Sequence, residues 1–558
     1  MAEGDMVDGR RSGAGTEAAG MPRRSFLKVA GVTGAVAAAA PLAGRTAAGA
    51  VGPQPGARPA AAGAALIEGL HLQFGGDSAR SMVVSWSTEA PVARPRVRFG
   101  TADGGLGSAV EAEARSYTDV TTGETVWTYH ARLGHLTPDT DYRYQAEADG
   151  AVPVPGTFRT APHGRAPFRF TSFGDQAIPA AVGRGTGPHT PNAGYVVDAI
   201  NGLDRPPLFH LLNGDLCYAN ISDAPVSTWR SFWANNTSSA RHLPWMPAAG
   251  NHENEVGNGP QGYQAYQTWF TLPDNGQPDA WQGNWYSFKV GSVGVVSLNN
   301  DDVCYQQGSF STVRNPLLPS AANHDDYIHG YSGGAQKRWL EATLADLRGD
   351  DGIDWIVVTM HQVAMSSANF NGADLGIREE WLPLFDTYGV DLVVAGHEHH
   401  YERSHAVRGH DAGNLAPNGK DLLTPAPQTS ETGEANPTVD TTTGTVHMIL
   451  GGGGHSLATP PTAFDDPTLD AGAHGVVIYD VAAPVNGFRT SLKVLQEPSH
   501  WSAHRDLRNE YGFGVFDVDP GRPGGTTTIS FTYYGTTLNS ATYTAQDQIT
   551  LTRPRRDG

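Results

Sequence analysis

The feature that most constrains this chain is a series of short apolar runs, most of which stop at a cluster of polar side chains. Phe168-Arg169-Phe170-Thr171-Ser172-Phe173 runs into Gly174-Asp175-Gln176, and Leu208-Phe209-His210-Leu211-Leu212 runs into Asn213-Gly214-Asp215-Leu216-Cys217-Tyr218. A further cluster is Gly250-Asn251-His252-Glu253. Trp355-Ile356-Val357-Val358-Thr359 leads to Met360-His361-Gln362, and Val390-Asp391-Leu392-Val393-Val394 leads to Gly396-His397-Glu398-His399-His400-Tyr401-Glu402-Arg403. Val293 with Val295-Val296-Ser297-Leu298 is another such run. Segments this short and this apolar are expected of strands buried on both faces. Helical stretches intervene, such as the one beginning Ala335-Gln336-Lys337-Arg338-Trp339-Leu340. The pattern predicts a layered α/β domain over 166–558, with its polar clusters at strand ends, where open α/β sheets bind ligands.

Upstream the pattern is different. Between residues 66 and 162 lie alternating β-type runs: Met82-Val83-Val84-Ser85-Trp86, Arg96-Val97-Arg98-Phe99, Trp127-Thr128-Tyr129-His130-Ala131 and Tyr142-Arg143-Tyr144-Gln145-Ala146. They predict a small all-β sandwich. Leu136-Thr137-Pro138-Asp139-Thr140-Asp141-Tyr142 resembles the tyrosine corner of fibronectin type III domains, and Trp86 is the expected core anchor. A carbohydrate-binding role for the aromatics is the functional alternative; packing is preferred. Residues 51–65 read as an Ala/Gly/Pro linker, and 409–443 as a polar excursion loop.

Pro22-Arg23-Arg24-Ser25-Phe26-Leu27-Lys28, an Ala-rich apolar run and Ala48-Gly49-Ala50 make residues 1–50 an expected export signal, with Met21 an alternative start. The arginine pair resembles a twin-arginine signal, which carries folded proteins across a bacterial membrane. The expected location is secreted or cell-wall associated, with no membrane span in the mature protein. The net charge of -19 argues against a nucleic-acid platform. It leaves room for a small anionic substrate, because a bound cation dominates its own surroundings.

The clusters supply carboxylates, an amide oxygen, a phenol and imidazoles. Each alone has a structural reading, as a turn, a helix start or a core histidine. Together and in this order they make the donor set that two metal ions need, since hard oxygens and neutral imidazoles suit iron, zinc and manganese. A metal pair polarises a phosphoryl group and activates water.

The ordered set resembles the calcineurin-like metallophosphoesterases, and Tyr218 after Gly214-Asp215 resembles the purple acid phosphatases, whose larger members carry a similar N-terminal sandwich. The resemblance implies a four-layer α/β/β/α core behind a fibronectin type III-like domain. It implies Fe(III) held by Asp175, Tyr218, His399 and bridging Asp215, and a second ion, Fe(II), Zn(II) or Mn(II), held by Asp215, Asn251, His361 and His397. It implies hydrolysis of phosphate monoesters by a metal-bound hydroxide, with His252 in the phosphate pocket as the catalytic histidine. Glu253 is expected either to orient His252 or to act as a helix-start carboxylate. His400 is open between a supporting position and the surface.

One stretch departs from the plant-type members, which carry two further histidines about ten residues beyond the position of His361. Here it reads Ser366-Ser367-Ala368-Asn369-Phe370-Asn371. Asn369, Asn371 and Arg378 are the alternatives for substrate contact, and Gly451-Gly452-Gly453-Gly454-His455 is either a close backbone approach to the site or a turn. Cys217 is open between a small buried residue, a disulfide to Cys304 and a thiol beside the metals; export admits the bridge. A phosphodiesterase acting on cyclic nucleotides, phospholipids or nucleotide sugars is the alternative enzyme, and an adhesion protein working through its sandwich is the alternative outside enzymes. The expected partner is a small phosphoester. Oligomeric state is not readable from the chain.

Overall fold

A computed structural model describes residues 65–180, 187–255, 257–259, 262–304, 330–368, 371–410, 424–425, 437–455, 475–481, 492–498, 501–506 and 508–557. The export signal, nearly all of the linker, Asn369 and most of 409–443 lie outside the described residues.

The first strands are β1 (Glu68–Phe74), β2 (Met82–Thr88), β3 (Arg96–Thr101), β4 (Ser108–Glu111), β5 (Glu113–Thr118), β6 (Thr125–Leu133), β7 (Asp141–Glu147) and β8 (Val154–Arg159). They form two antiparallel sheets, β1-β2-β6-β5 and β4-β3-β7-β8. Alternation along β7 buries Tyr142, Tyr144 and Ala146 on one face, as a period of two requires. Trp86 is fully buried and stacks on Tyr129. The Tyr142 hydroxyl accepts the Thr137 N–H at 2.9 Å, closing the expected tyrosine corner. These aromatics serve packing. From β1, His71 stacks on Trp233 at 3.6 Å between ring centres, so the sandwich rests on the domain that follows.

That domain opens with β9 (Phe168–Phe173), α1 (Asn192–Asn201), β10 (Phe209–Asn213), α2 (Pro225–Ala240), β11 (Trp245–Ala248), α3 (Gln264–Trp269), β12 (Tyr286–Val290) and β13 (Val293–Ser297). It continues with α4 (Ala335–Gly349), β14 (Trp355–Thr359), β15 (Ala373–Asp374), α5 (Leu375–Glu380), α6 (Leu382–Tyr388), β16 (Leu392–Ala395), β17 (Tyr401–Arg408), β18 (Thr424–Pro425), β19 (Thr438–Asp440) and β20 (Thr445–Leu450). It closes with β21 (Gly475–Val481), β22 (Leu492–Pro498), β23 (Ser502–Arg505), β24 (Tyr511–Asp519), β25 (Thr526–Thr536) and β26 (Thr544–Pro554).

Two large mixed sheets face each other. One has the order β11-β10-β9-β24-β25-β26-β19, the other β12-β13-β14-β16-β20-β17-β18 with β23 beside β17. Within them β9, β10 and β11 run parallel, as do β13, β14, β16 and β20. The uninterrupted apolarity of β14 follows from its place. Trp355 and Val357 belong to the core between the sheets, while Ile356 and Val358 pack with Leu340 and Leu344 of α4 and Phe385 of α6. Helices α1 and α2 add Val196, Ile200, Trp229 and Phe232 to the core on the other side. The result is α/β/β/α.

Residues 409–443 are not loop throughout. They contain β18 and β19, and Val439 of β19 pairs with Leu551 in parallel at the sheet edge. An edge strand has one ladder to satisfy and needs few apolar side chains, so a Thr- and Pro-rich composition concealed it.

Candidate metal centre

The polar clusters follow the carboxyl ends of parallel strands in both sheets. Asp175 follows β9, Asp215 and Tyr218 follow β10, Asn251 follows β11, His361 follows β14, and His397 and His399 follow β16. The chain turns there through strained backbone. Asp175, Asp215, Tyr218 and His397 all adopt positive φ, between 49° and 69°, a region unfavourable for residues bearing a Cβ and maintained only where surroundings enforce it. Asp175 N–H donates to the Gly214 carbonyl at 3.0 Å and Gln176 N–H to the Asp215 carbonyl at 3.2 Å, so two of these turns hold each other. Gly396 has to be glycine, since a Cβ there would meet the Asn213 backbone carbonyl at 2.6 Å as well as Asp175 Oδ2.

Donor atoms converge in two triads. Asp175 Oδ1 lies 3.1 Å from the Tyr218 hydroxyl and 3.2 Å from His399 Nε2, and the hydroxyl lies 3.2 Å from that nitrogen. Asp215 Oδ2 lies 3.0 Å from His361 Nε2, which lies 3.2 Å from His397 Nδ1. Ligand atoms of Asp215, His361 and His397 all fall within 4.8 Å of one another. Asn251 is buried, and its Oδ1 finds no hydrogen-bond partner among the described residues. A buried amide oxygen left this way is costly unless something binds it.

Outer partners aim these donors. The Asn213 carbonyl accepts Nδ1–H of His361 at 2.7 Å, turning the Nε2 lone pair toward Asp215. The Asn213 side-chain oxygen accepts Ser172 Oγ–H and Thr359 Oγ1–H, each at 3.0 Å, tying the two sheets together. Asn300 Oδ1 accepts the His361 N–H at 2.8 Å. Glu253 does not orient His252. Its carboxylate accepts backbone N–H from Asp215, Leu216 and Gly250, each at 2.8 Å, and so holds the Asp215 turn. Asn220 orients His252, accepting Nδ1–H at 2.8 Å, while the His252 N–H donates to Asp215 Oδ1 at 2.9 Å.

Electrostatics test the fit of a cation. Burial, with the Asp175 and Asp215 carboxylates next, pushes the Tyr218 phenol well above its ordinary range. Burial lowers His361, but the Asp215 and Asp175 carboxylates overcome it and raise the ring to about 10. Burial opposes ionisation of Asp215, but the His252 and His361 rings overcome it and hold that carboxylate below its ordinary range, so the phenol keeps its proton and His361 attracts one beside an ionised carboxylate. A metal cation reverses this balance and favours the deprotonated ligands. Oxygen and imidazole donors, the partnerless Asn251 oxygen and the converging lone pairs fit hard or borderline cations.

Other expected residues fall as follows. His252 is buried, with its ring centre 4.2 Å from that of Tyr218. His400 is interior, not superficial, with Nε2 3.5 Å from Glu402 Oε2. Arg378, offered as a substrate contact, is fully buried on α5 and donates Nε–H to the Ala364 carbonyl at 2.6 Å, an internal anchor. Asn371 clasps the histidine turn instead of facing outward, giving its amide N–H to the His397 carbonyl at 2.7 Å and its backbone N–H to Glu398 Oε1 at 3.0 Å. Cys217 and Cys304 are not bridged to each other. They belong to separate cores, Cys217 to the larger one, which also holds Trp229 and Phe232 of α2, and Cys304 to the one beneath α4. Burial pushes the Cys217 thiol well up, against a thiolate beside the metals. The glycine run does approach the site. A Cβ at Gly451 would overlap the Glu398 carbonyl and one at Gly454 the Gln176 carbonyl. His455 N–H reaches the Asp175 carbonyl at 2.7 Å.

Asn213 and Asn220 were missed in the sequence. A visible signal existed for Asn213, a polar residue closing a buried strand, since such an amide needs internal partners. Nothing local marks Asn220.

Residues 67–160 match the family described as purple acid phosphatase, N-terminal domain, and residues 189–401 match the calcineurin-like phosphoesterases. An uncharacterised protein of Mycobacterium tuberculosis is 52% identical over 500 residues, covering 88% of each chain. Purple acid phosphatase 18 of Arabidopsis thaliana is 25% identical over 345 residues, 61% of this chain and 67% of that one. A purple acid phosphatase from yellow lupin (Lupinus luteus) seeds shares the fold, with a TM-score of 0.60 at 20% identity over 88% of this chain and 75% of the lupin chain.

Proposed function

Because this chain belongs to the calcineurin-like metallophosphoesterases of the purple acid phosphatase type, we propose that it is an exported acid phosphatase acting on phosphate monoesters. The convergence of two donor triads on one buried cluster, with Asn251 Oδ1 beside them lacking a partner, carries this reading. Asp175, Tyr218 and His399 would hold Fe(III), and Asn251, His361 and His397 would hold Fe(II), Zn(II) or Mn(II), with Asp215 common to both. Such a metal pair supplies Lewis acidity toward phosphoryl oxygens and makes water acidic enough to act as a nucleophile near neutral pH.

The chain's own groups do the rest. Asn213 keeps the His361 tautomer that points Nε2 inward, and Glu253 keeps Asp215 in its strained turn. With Nδ1–H given to Asn220, His252 presents Nε2 to the substrate. Burial lowers the His252 imidazole to about 4, with the Asp215 carboxylate opposing, so it donates Nε2–H to the leaving oxygen as the imidazolium that acidic conditions and a phosphate dianion together promote. Export by the twin-arginine route is supported by Arg23-Arg24-Ser25-Phe26-Leu27-Lys28 and the apolar run behind it. The partner proposed is a small phosphoester alone; no helix among the described residues is long and apolar enough to cross a membrane.

Metal analysis, a visible spectrum and turnover of an aryl phosphate, a bis-aryl phosphate and a cyclic nucleotide test the reading. The expected result is two metals per chain, one of them iron, an absorption band lost in Tyr218→Phe, and preference for the monoester under acidic conditions. Preference for a diester would overturn the substrate assignment, and a colourless iron-free enzyme would overturn the metal assignment.

A further inference from the structure

Among the described residues, two histidines outside the ligand set touch Tyr218. His252 is one, and His455 is the other, with its ring centre 4.9 Å from that of Tyr218 and 4.3 Å from that of His399. His455 thus abuts two of the three side chains of the Asp175 triad. The backbone fixes this position. The glycine run after β20 lies so close to the Asp175 turn and the Glu398 turn that any side chain at Gly451, Gly453 or Gly454 would overlap backbone there. Gly453 N–H donates to the Gly174 carbonyl at 2.9 Å, and His455 N–H to the Asp175 carbonyl at 2.7 Å. His455 follows the last glycine as the first side chain able to reach the cluster. It is half-buried, whereas Tyr218, His252 and His399 are buried, so it stands at the more exposed rim of the cluster.

The Ser366–Asn371 stretch brings no imidazole to this site, and its described end is turned inward, since Asn371 binds the His397 carbonyl. We propose that His455 is a substrate-binding residue, donating an imidazole N–H to a phosphoryl oxygen held over Asp175, Tyr218 and His399. This rests on the phosphatase reading and adds to it the contact by which the phosphate group is held at the rim. The interaction is a hydrogen bond to a charged group, and no covalent bond changes at His455.

The test uses the metal-loaded protein and inorganic phosphate, with affinity measured by calorimetry and metal content determined alongside. His455→Phe keeps a ring against Tyr218 and His399 but removes the donor; His455→Gln keeps a donor. Phosphate affinity and KM for an aryl phosphate are expected to weaken by about tenfold in His455→Phe, the scale of one hydrogen bond to a charged group, and by less than about threefold in His455→Gln. Two metals remain bound in both. Phosphate affinity unchanged in His455→Phe would overturn the proposal, as would loss of metals from both variants, which would make His455 a structural prop. If the wild-type protein neither binds phosphate nor turns over the ester, the phosphatase reading itself fails, and the variants are not what decided it.

Discussion

Asp215 Oδ2 and His361 Nε2 stand 3.0 Å apart although they follow strands of two different sheets, β10 and β14. The other triad straddles the same boundary, since Asp175 and Tyr218 come from the first sheet and His399 from the second. The metal centre is therefore a product of sheet docking. Asn213 stitches that boundary, accepting from Ser172 within its own sheet and from Thr359 across it.

The Asp215 turn depends on Glu253, which accepts three backbone N–H groups there. Glu253→Gln replaces one acceptor oxygen with a donor that faces an N–H. Metal affinity, measured by competition with a chelator, is expected to fall about 10–100-fold, the usual cost of losing an outer partner of a ligand. Equal affinity in wild type and variant would remove Glu253 from this role.

Asn220 meets the His252 ring by the 2.8 Å contact to Nδ1. In Asn220→Ala, kcat for an aryl phosphate is expected to drop roughly tenfold, a part of what a well-placed proton donor contributes. Metal content and the visible band are expected to stay as in wild type. A variant that keeps its kcat but loses metal would show that Asn220 supports the fold of the site and not the histidine.

Away from the centre, His210 provides a pH test of folding. Burial lowers its imidazole from 6.5 to about 3. The unfolded chain therefore takes up a proton that the folded chain refuses. The resulting penalty is absent above pH ~6.5 and grows by about 1.4 kcal/mol per pH unit as pH falls from there toward 3. His210→Phe places an aromatic ring among Phe173 and Trp245 and removes the titration. Between pH 7 and pH 5, urea denaturation is expected to show wild type losing roughly 2 kcal/mol relative to the variant. Parallel stability profiles for the two proteins would contradict the burial of a neutral imidazole.

The cysteines offer a simple check. Both are buried and not joined to each other. A reductant is expected to leave the melting temperature unchanged, and a thiol reagent to react with two thiols only after denaturation. A single-step drop in Tm on reduction would restore the bridge.

Much of this was legible in the chain because the information is local. Apolar runs such as Trp355-Ile356-Val357-Val358-Thr359 state their burial on both faces by themselves, and β14 spans those same residues. Ligand types could be read for a related reason: Asp175, Tyr218 and His399 are chemically specific donors in short polar turns. The hidden elements were those whose reason lies elsewhere. β19 is a strand because β26 offers it an edge, and Glu253, one residue from His252, serves Asp215 instead.

Sequence alone therefore determined which side chains offer donor atoms, in what order they occur and which segments carry them to strand ends. Only the tertiary structure decided how the donors group, which asparagine aims which histidine, that the thiols stay apart and that His455 meets Tyr218. Residue type and periodicity are properties of neighbours along the chain, whereas grouping and aim depend on how two sheets dock face to face, a relation written in no single segment.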